Sequence, residues 1–507
     1  MSSGTVREAL QELKTHLAAI ADLESAAAVL DWDQHTYMPP GGAEGRALQL
    51  ATLSRIAHEL FTSARTGALL DAAEARGDAL GPHSDDAALV RVTRRDYTKA
   101  SKLPAEFVAE LHHAASIGTH VWEDARARND FALFLPHLEQ IFELKRREAD
   151  YLGYREHPYD ALMDAYEPEL TSREVRVLFD RLVEVTVPLV RAIAARPAPR
   201  TDMLKREYGE APQRAFGVTM AQAFGYDLSR GRLDTSAHPF STGFGRDDVR
   251  ITTRFGRAGL GAVFGIFHEA GHAMYNQGIA QALERTPLGD GASYGIHESQ
   301  SRLWENLVGR SRPFWEYAYP ALREAFPAQL EGVDAEAWYR AINRVRPSLI
   351  RIHADEITYN LHIILRFELE QAVLTGALRP AELPEAWNAK MTSYLGVTPP
   401  TNTDGVLQDT HWAAGLIGYF PSYTLGNVAS VQLFEAARRR HPDLEEQIRR
   451  GEFGMLLAWL REHVHAYGRT YTPWDLLVRG TGAPLSPEPY LAYLKAKFGE
   501  LYGVAAA

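Results

Sequence analysis

The run Phe267-His268-Glu269-Ala270-Gly271-His272 sets two histidines four residues apart with a glutamate next to the first. On a helix, positions i and i+4 lie one turn apart on the same face, so His268 and His272 can direct two imidazoles at one cation. Glu269, the next residue round, then lies beside that cation. There it can take a proton from a water whose pKa the cation has lowered towards neutrality. The flanking residues read as a helix: Phe264, Phe267, Gly271 and Met274 recur at helical spacing as a buried face, and Gly265, His268, His272 and Tyr275 form the adjacent one.

A catalytic cation of this type needs three protein ligands and an open fourth position. Glu298 is the candidate for the third. It sits on the next strong helical segment, in the cluster His297-Glu298-Ser299-Gln300, and two antiparallel helices joined by a loop would return it to the metal. Glu305 and Glu284 are the fallback ligands.

The elements that must position these groups are mostly helical. Thr5-Val6-Arg7-Glu8 has the form of a capping box opening a helix towards Leu30. Asp31-Trp32-Asp33 and then Met38-Pro39-Pro40 break it, a second helix covers 43–60, and Trp32 and Met38 are turn and core residues of the resulting hairpin. Helices are predicted over 86–100, 104–128 and 136–153, the last two with proline in the first turn, and over 175–194 behind the N-terminal signal Thr171-Ser172-Arg173-Glu174. Further helices cover 296–305, 334–345 and 349–370, the last apolar on several sides and therefore buried. Between 231 and 255 the pattern changes: Val249, Ile251 and Thr253 alternate with Asp248, Arg250 and Thr252, which predicts a small β-hairpin just ahead of the metal helix. A strand beside a cleft can pair with an extended peptide backbone.

Composition narrows the function. The chain has 507 residues without an obvious linker, which fits one continuous helical body. A net charge of −11 argues against nucleic acid or an anionic membrane as the main partner. With no cysteine, disulfides are excluded and a metal must be held by histidine and carboxylate. No apolar run approaches the ~18 residues of a membrane span, and the opening residues lead into a charged amphipathic helix rather than a signal peptide. A cytoplasmic protein is the expectation.

With these residues assembled, the chain resembles the thermostable carboxypeptidase family of HExxH zinc metallocarboxypeptidases. The resemblance rests on His238-Pro239-Phe240, Asp248-x-Arg250-x-Thr252, His268-Glu269-x-x-His272, His297-Glu298-Ser299-Gln300, Arg351-x-x-Ala354-Asp355 and Gly405-x-x-Gln408-Asp409-x-His411-Trp412, in that order over nearly the whole chain. It implies a mainly α fold: a single large helical body with a deep substrate groove and a small β-sheet beside the active site, similar to neurolysin and angiotensin-converting enzyme. The N-terminal hairpin, about 5–62, would cover the groove. It also implies a homodimer that releases C-terminal residues from peptides, with His268, His272 and Glu298 as zinc ligands and Glu269 as general base. Cobalt fits the same ligands.

Such an enzyme must stabilise the tetrahedral oxyanion, for which His411 and Tyr423 are candidates against a packing role. It must also recognise a free carboxylate, which arginine does best through a bidentate pair. Arg351, on an otherwise apolar helix, is favoured over Arg250, against the bland alternative of an i,i+4 pair with Asp355. His238 is either near the substrate or orders the turn before Pro239. Two other functions stay open. A zinc oligopeptidase or dipeptidyl carboxypeptidase would use the same machinery with a different distance from metal to clamp. A helical scaffold or peptide-binding protein whose metal site is structural or absent would show four protein ligands with no open position, or Glu269 pointing away from the metal; the intact Glu269 argues against it.

Overall fold

The structure, a computed structural model, describes residues 3–75, 80–81 and 84–504, with side chains from residue 8 onwards. The chain divides into two compact units. One comprises Met1–Ser101, Thr201–Tyr339 and Leu433–Leu485, the other Lys102–Arg200, Arg340–Gln432 and Ser486–Ala507.

In the first unit, the helices Ser3–Thr36 and Ala43–Phe61 pack on each other as the expected hairpin. Leu10, Leu13, Leu17 and Ile20 recur every three or four residues and share one apolar cluster with Leu69, Leu70, Leu89 and Leu288. The predicted break at Asp31 is not there: the helix runs on to Thr36, and the chain turns only where Pro39 and Pro40 withdraw two backbone donors. Asp33 is satisfied across the hairpin by Arg46, 2.7 Å away. The side chain of the proposed cap Thr5 lies outside the described residues. Trp32 is buried, with the Arg250 guanidinium 4.3 Å and that of Arg232 5.3 Å from its ring centroid, so the hairpin tip docks on the sheet.

That sheet has three strands: β1 (Leu233–Thr235), β2 (Ser241–Gly243) and β3 (Val249–Thr253), in the order β1-β3-β2. β2 and β3 form the predicted hairpin, with Thr242 opposite Arg250. β1 pairs in parallel on the other side of β3, with Leu233 opposite Ile251. At three residues it is too short to show an alternation of its own.

The HExxH helix, Gly261–Gly278, packs on β3 through its first turns and is buried on nearly every side. Phe267 anchors it in an aromatic core, 5.0 Å from the ring of Phe224. Phe224 in turn lies 4.9 Å from Trp304 and 5.0 Å from Phe453, distances at which aromatic pairs attract.

In the second unit, the helix Ser172–Ala194 carries the predicted capping box between Thr171 and Glu174. The helix predicted from Pro136 begins earlier, at Phe131, because the Asp130 carboxylate accepts the Leu133 amide at 3.2 Å; Pro136 sits inside the helix. The predicted helix 349–370 also divides. Arg351–His353 is a 3-10 turn, and the buried helix is Thr358–Leu374. Asp355 causes the division by accepting the amides of Ile357 (3.1 Å) and Thr358 (3.0 Å), so it caps a helix instead of pairing with Arg351. Among the described residues, no helix is long and apolar enough to cross a membrane.

The buried helix also carries Glu370, which accepts from Tyr159 (2.7 Å), Trp412 (2.8 Å) and the Gly418 amide (3.2 Å). Burial pushes its pKa up to about 7, although these donors and Arg366 favour the charged form. The folded state therefore binds this proton more tightly than the unfolded chain. Its stabilisation is complete below about pH 4.5, falls as pH rises through 7 and levels off beyond, a loss of about 3 kcal/mol. Glu370→Gln should remove that slope, which denaturant midpoints at pH 5 and pH 7.5 for both proteins would measure.

Candidate active site

One turn apart on the HExxH helix, His268 and His272 aim their Nε2 atoms at the same carboxylate oxygen. Glu298 Oε2 lies 3.5 Å from His268 Nε2 and 3.4 Å from His272 Nε2. Glu298 comes from the helix Tyr294–Arg302, whose start is capped by Ser293 accepting the Ile296 amide at 3.1 Å. Among the described residues, His268, His272 and Glu298 form a group whose ligand atoms lie within 4.8 Å of one another. Bonds of about 2.0–2.1 Å at tetrahedral angles place donor atoms about 3.3–3.4 Å apart, so two imidazoles and one carboxylate at these spacings fit a divalent cation with a fourth position to spare. Glu284 is not part of the group.

The trio is braced from behind. His268 Nδ1 lies 3.0 Å from Glu305 Oε2, a contact in which Nδ1 can donate while the Nε2 lone pair is offered to a cation. Glu305 thus backs His268 and lies outside the converging group, although the sequence offers it as a fallback ligand. It reaches this position because the chain passes from the α-helix into a π-helical turn, Leu303–Val308, which shifts the phase of the following side chains. Arg302 and Arg310, at 3.2 Å each, hold Glu305. Burial would raise the Glu298 pKa, but Arg302 at 2.7 Å and the two histidines outweigh it and keep the carboxyl well below its usual range. His272 Nδ1 faces His297 Nδ1 at 2.6 Å. Glu269 is 6% exposed, and burial raises its pKa, the direction a proton acceptor near neutral pH requires.

The residues proposed to meet the substrate divide between the two units. In the first, Arg250 is held by both oxygens of Asp248 at 2.8 Å and packs on Trp32 and on Phe244, 4.9 Å from its centroid. His238 is exposed in the loop between β1 and β2, where its carbonyl accepts from Ser236. In the second unit, Arg351, His411 and Tyr423 come together. Arg351 donates to Asp409 (2.7 Å) and Tyr359 (2.9 Å), and its guanidinium lies 5.0 Å from the Tyr423 centroid. Arg366, which sequence reasoning missed, meets the other oxygen of Asp409 at 2.6 Å. Its signal was the same as that of Arg351: a cation in an apolar segment. Two buried arginines thus share one aspartate. His411 stacks on Phe420 at 4.5 Å with Nε2 3.2 Å from the Tyr423 hydroxyl, and burial lowers its pKa to about 4, leaving a neutral ring at physiological pH.

The family model of the carboxypeptidase Taq (M32) metallopeptidases matches residues 12–498. The chain belongs to the M32 metallopeptidase family. It is 44% identical to thermostable carboxypeptidase 1 of Thermus thermophilus, covering 98% of this chain and 100% of that protein. Carboxypeptidase 1 of Bacillus subtilis is 40% identical over 96% of this chain and 97% of its own. Among solved structures, the M32 carboxypeptidase of Deinococcus radiodurans superposes with a TM-score of 0.96 at 45% identity, covering 98% of this chain and 100% of that one.

In this M32 chain Gly271 lets the helix of His268 and His272 approach the helix of Glu298. A Cβ there would lie 2.6 Å from the Gln300 carbonyl oxygen and 2.7 Å from Ser301 Cα, both backbone atoms. Gly271→Ala should push the Glu298 helix away. We expect a fall in divalent-cation affinity of about 10–100-fold, as for loss of a supporting contact, with about 1–3 kcal/mol of overpacking strain. Metal titration and thermal melts of the variant would measure both.

Proposed function

We infer that this chain is a metallocarboxypeptidase that hydrolyses the last peptide bond of its substrates. The observation that carries the reading is the convergence of His268 Nε2, His272 Nε2 and Glu298 Oε2 on one point beside the buried Glu269. We propose zinc as the cation, with cobalt able to replace it. When bound, it acts as a Lewis acid, polarising the scissile carbonyl and acidifying a water.

The chain's own groups perform the remaining steps. Glu269 takes the proton of the attacking water and delivers it to the leaving amine. His411 and Tyr423 are proposed as donors to the tetrahedral oxyanion: one is a neutral imidazole, the other a phenol that can donate. Arg351 is proposed as the clamp for the substrate carboxylate. Arg250 is matched one to one by Asp248, whereas Arg351 and Arg366 share Asp409 and carry a surplus positive charge suited to an incoming anion. Arg250 and His238 remain the second choice for substrate contact. A homodimer, on the family resemblance, and a cytoplasmic location, on the charged amphipathic opening helix, complete the reading.

The metal assignment is tested by stripping the protein with a chelator and reloading it. Activity on N-blocked dipeptides should vanish and return with one equivalent of Zn2+ or Co2+ per chain. Full activity in the stripped protein, or no return, would contradict the reading.

A further inference from the structure

The two histidines of the site are supported by different chemistry. His268 is backed by a carboxylate, His272 by a neutral pair. His272 Nδ1 lies 2.6 Å from His297 Nδ1, and His297 Nε2 lies 2.7 Å from Asn276 Oδ1. One arrangement of protons satisfies both contacts and leaves His272 able to bind a cation. Asn276 Oδ1 only accepts, so His297 carries its proton on Nε2 and presents a lone pair at Nδ1. His272 then donates from Nδ1, and its Nε2 lone pair faces Glu298 Oε2 at 3.4 Å. The reverse arrangement would place the His272 proton on Nε2, where a cation must bind.

The supporting ring is itself fixed. It packs 5.0 Å from the Tyr275 centroid, and a Cβ at Gly291 would lie 2.6 Å from its Cδ2, so glycine there makes room for it.

We propose that His297, held by Asn276, is a positioning residue that selects the metal-binding tautomer of His272 and thereby sets the affinity of the site for a divalent cation. The inference rests on the reading of His268, His272 and Glu298 as the ligands.

The test is the Zn2+ dissociation constant of the full-length chain, measured by competition with a chromophoric chelator, alongside thermal melts of the metal-free proteins. His297→Leu should weaken Zn2+ binding by about 10–100-fold. His297→Gln should come back to within about threefold of the parent, since its amide oxygen can accept from His272 and its amide nitrogen can donate to Asn276. Its metal-free melting temperature should match that of the parent. Asn276→Ala, which frees the His297 tautomer, should also weaken binding and decides the matter if His297→Leu fails to fold. Parent-like affinity in His297→Leu or Asn276→Ala, or a His297→Gln as weak as His297→Leu, would overturn the proposal. Unchanged Zn2+ affinity in His272→Ala would instead overturn the ligand assignment on which it rests.

Discussion

Glu269→Gln should lose essentially all peptide hydrolysis while keeping its cation. The substitution preserves shape and removes only the basic oxygen. Glu269 is buried in the HExxH helix with both histidines beside it, and it stands outside the group of three converging ligand atoms. Its removal therefore leaves the ligands in place. A positioned general base contributes about 10²–10⁴-fold. A fall of at least that size should appear in kcat, with KM and Zn2+ stoichiometry close to those of the parent. Steady-state kinetics with metal analysis on the same preparations would check it. Loss of the metal together with activity would mean that Glu269 is a ligand and not the base.

Asp409→Asn should destabilise the second unit strongly, and more than Arg351→Ala does. Asp409 is the counter-charge of two buried arginines, Arg351 at 2.7 Å and Arg366 at 2.6 Å. Burial opposes its ionisation, yet the two guanidinium groups hold its pKa well below the usual carboxylate range. Arg366 already feels the cost of burial, which brings it down to about 10. Neutralising the aspartate leaves two desolvated cations facing each other, a loss of about 3–5 kcal/mol. Arg351→Ala should cost less, because Asp409 keeps Arg366. Equilibrium unfolding of both variants tests the ordering, and equal stabilities would show that the arginines are not mutually dependent.

Local signals were legible in the sequence. The i,i+4 spacing of His268 and His272 places them on one helix face with no tertiary information, and the need for a third ligand on the next helix led to Glu298. The capping box at Thr171 and the alternation from Asp248 to Thr253 likewise depend on neighbours only. What escaped was set by distant partners or by a change of helical phase. Arg351 was weighed against Asp355, four residues away, whereas its partner is Asp409; local spacing cannot see a contact 58 residues away in sequence. Glu305 reads in the sequence only as a further carboxylate after Glu298, because nothing local announces the π-helical segment Leu303–Val308 that carries it. His297 was noticed only as part of a cluster, since its role depends on the ring nitrogens of His272 and on Asn276 from the facing helix.

The most direct measurement is a time course of peptide products by mass spectrometry, using one peptide as the free acid and as the C-terminal amide. Each would be incubated with the Zn2+-loaded parent and with Glu269→Gln. The expected result is stepwise loss of single residues from the C-terminus of the free acid by the parent, with the amide and the variant samples unchanged. Internal fragments, removal of dipeptides, or equal cleavage of the amide would contradict a carboxypeptidase that holds the terminal carboxylate.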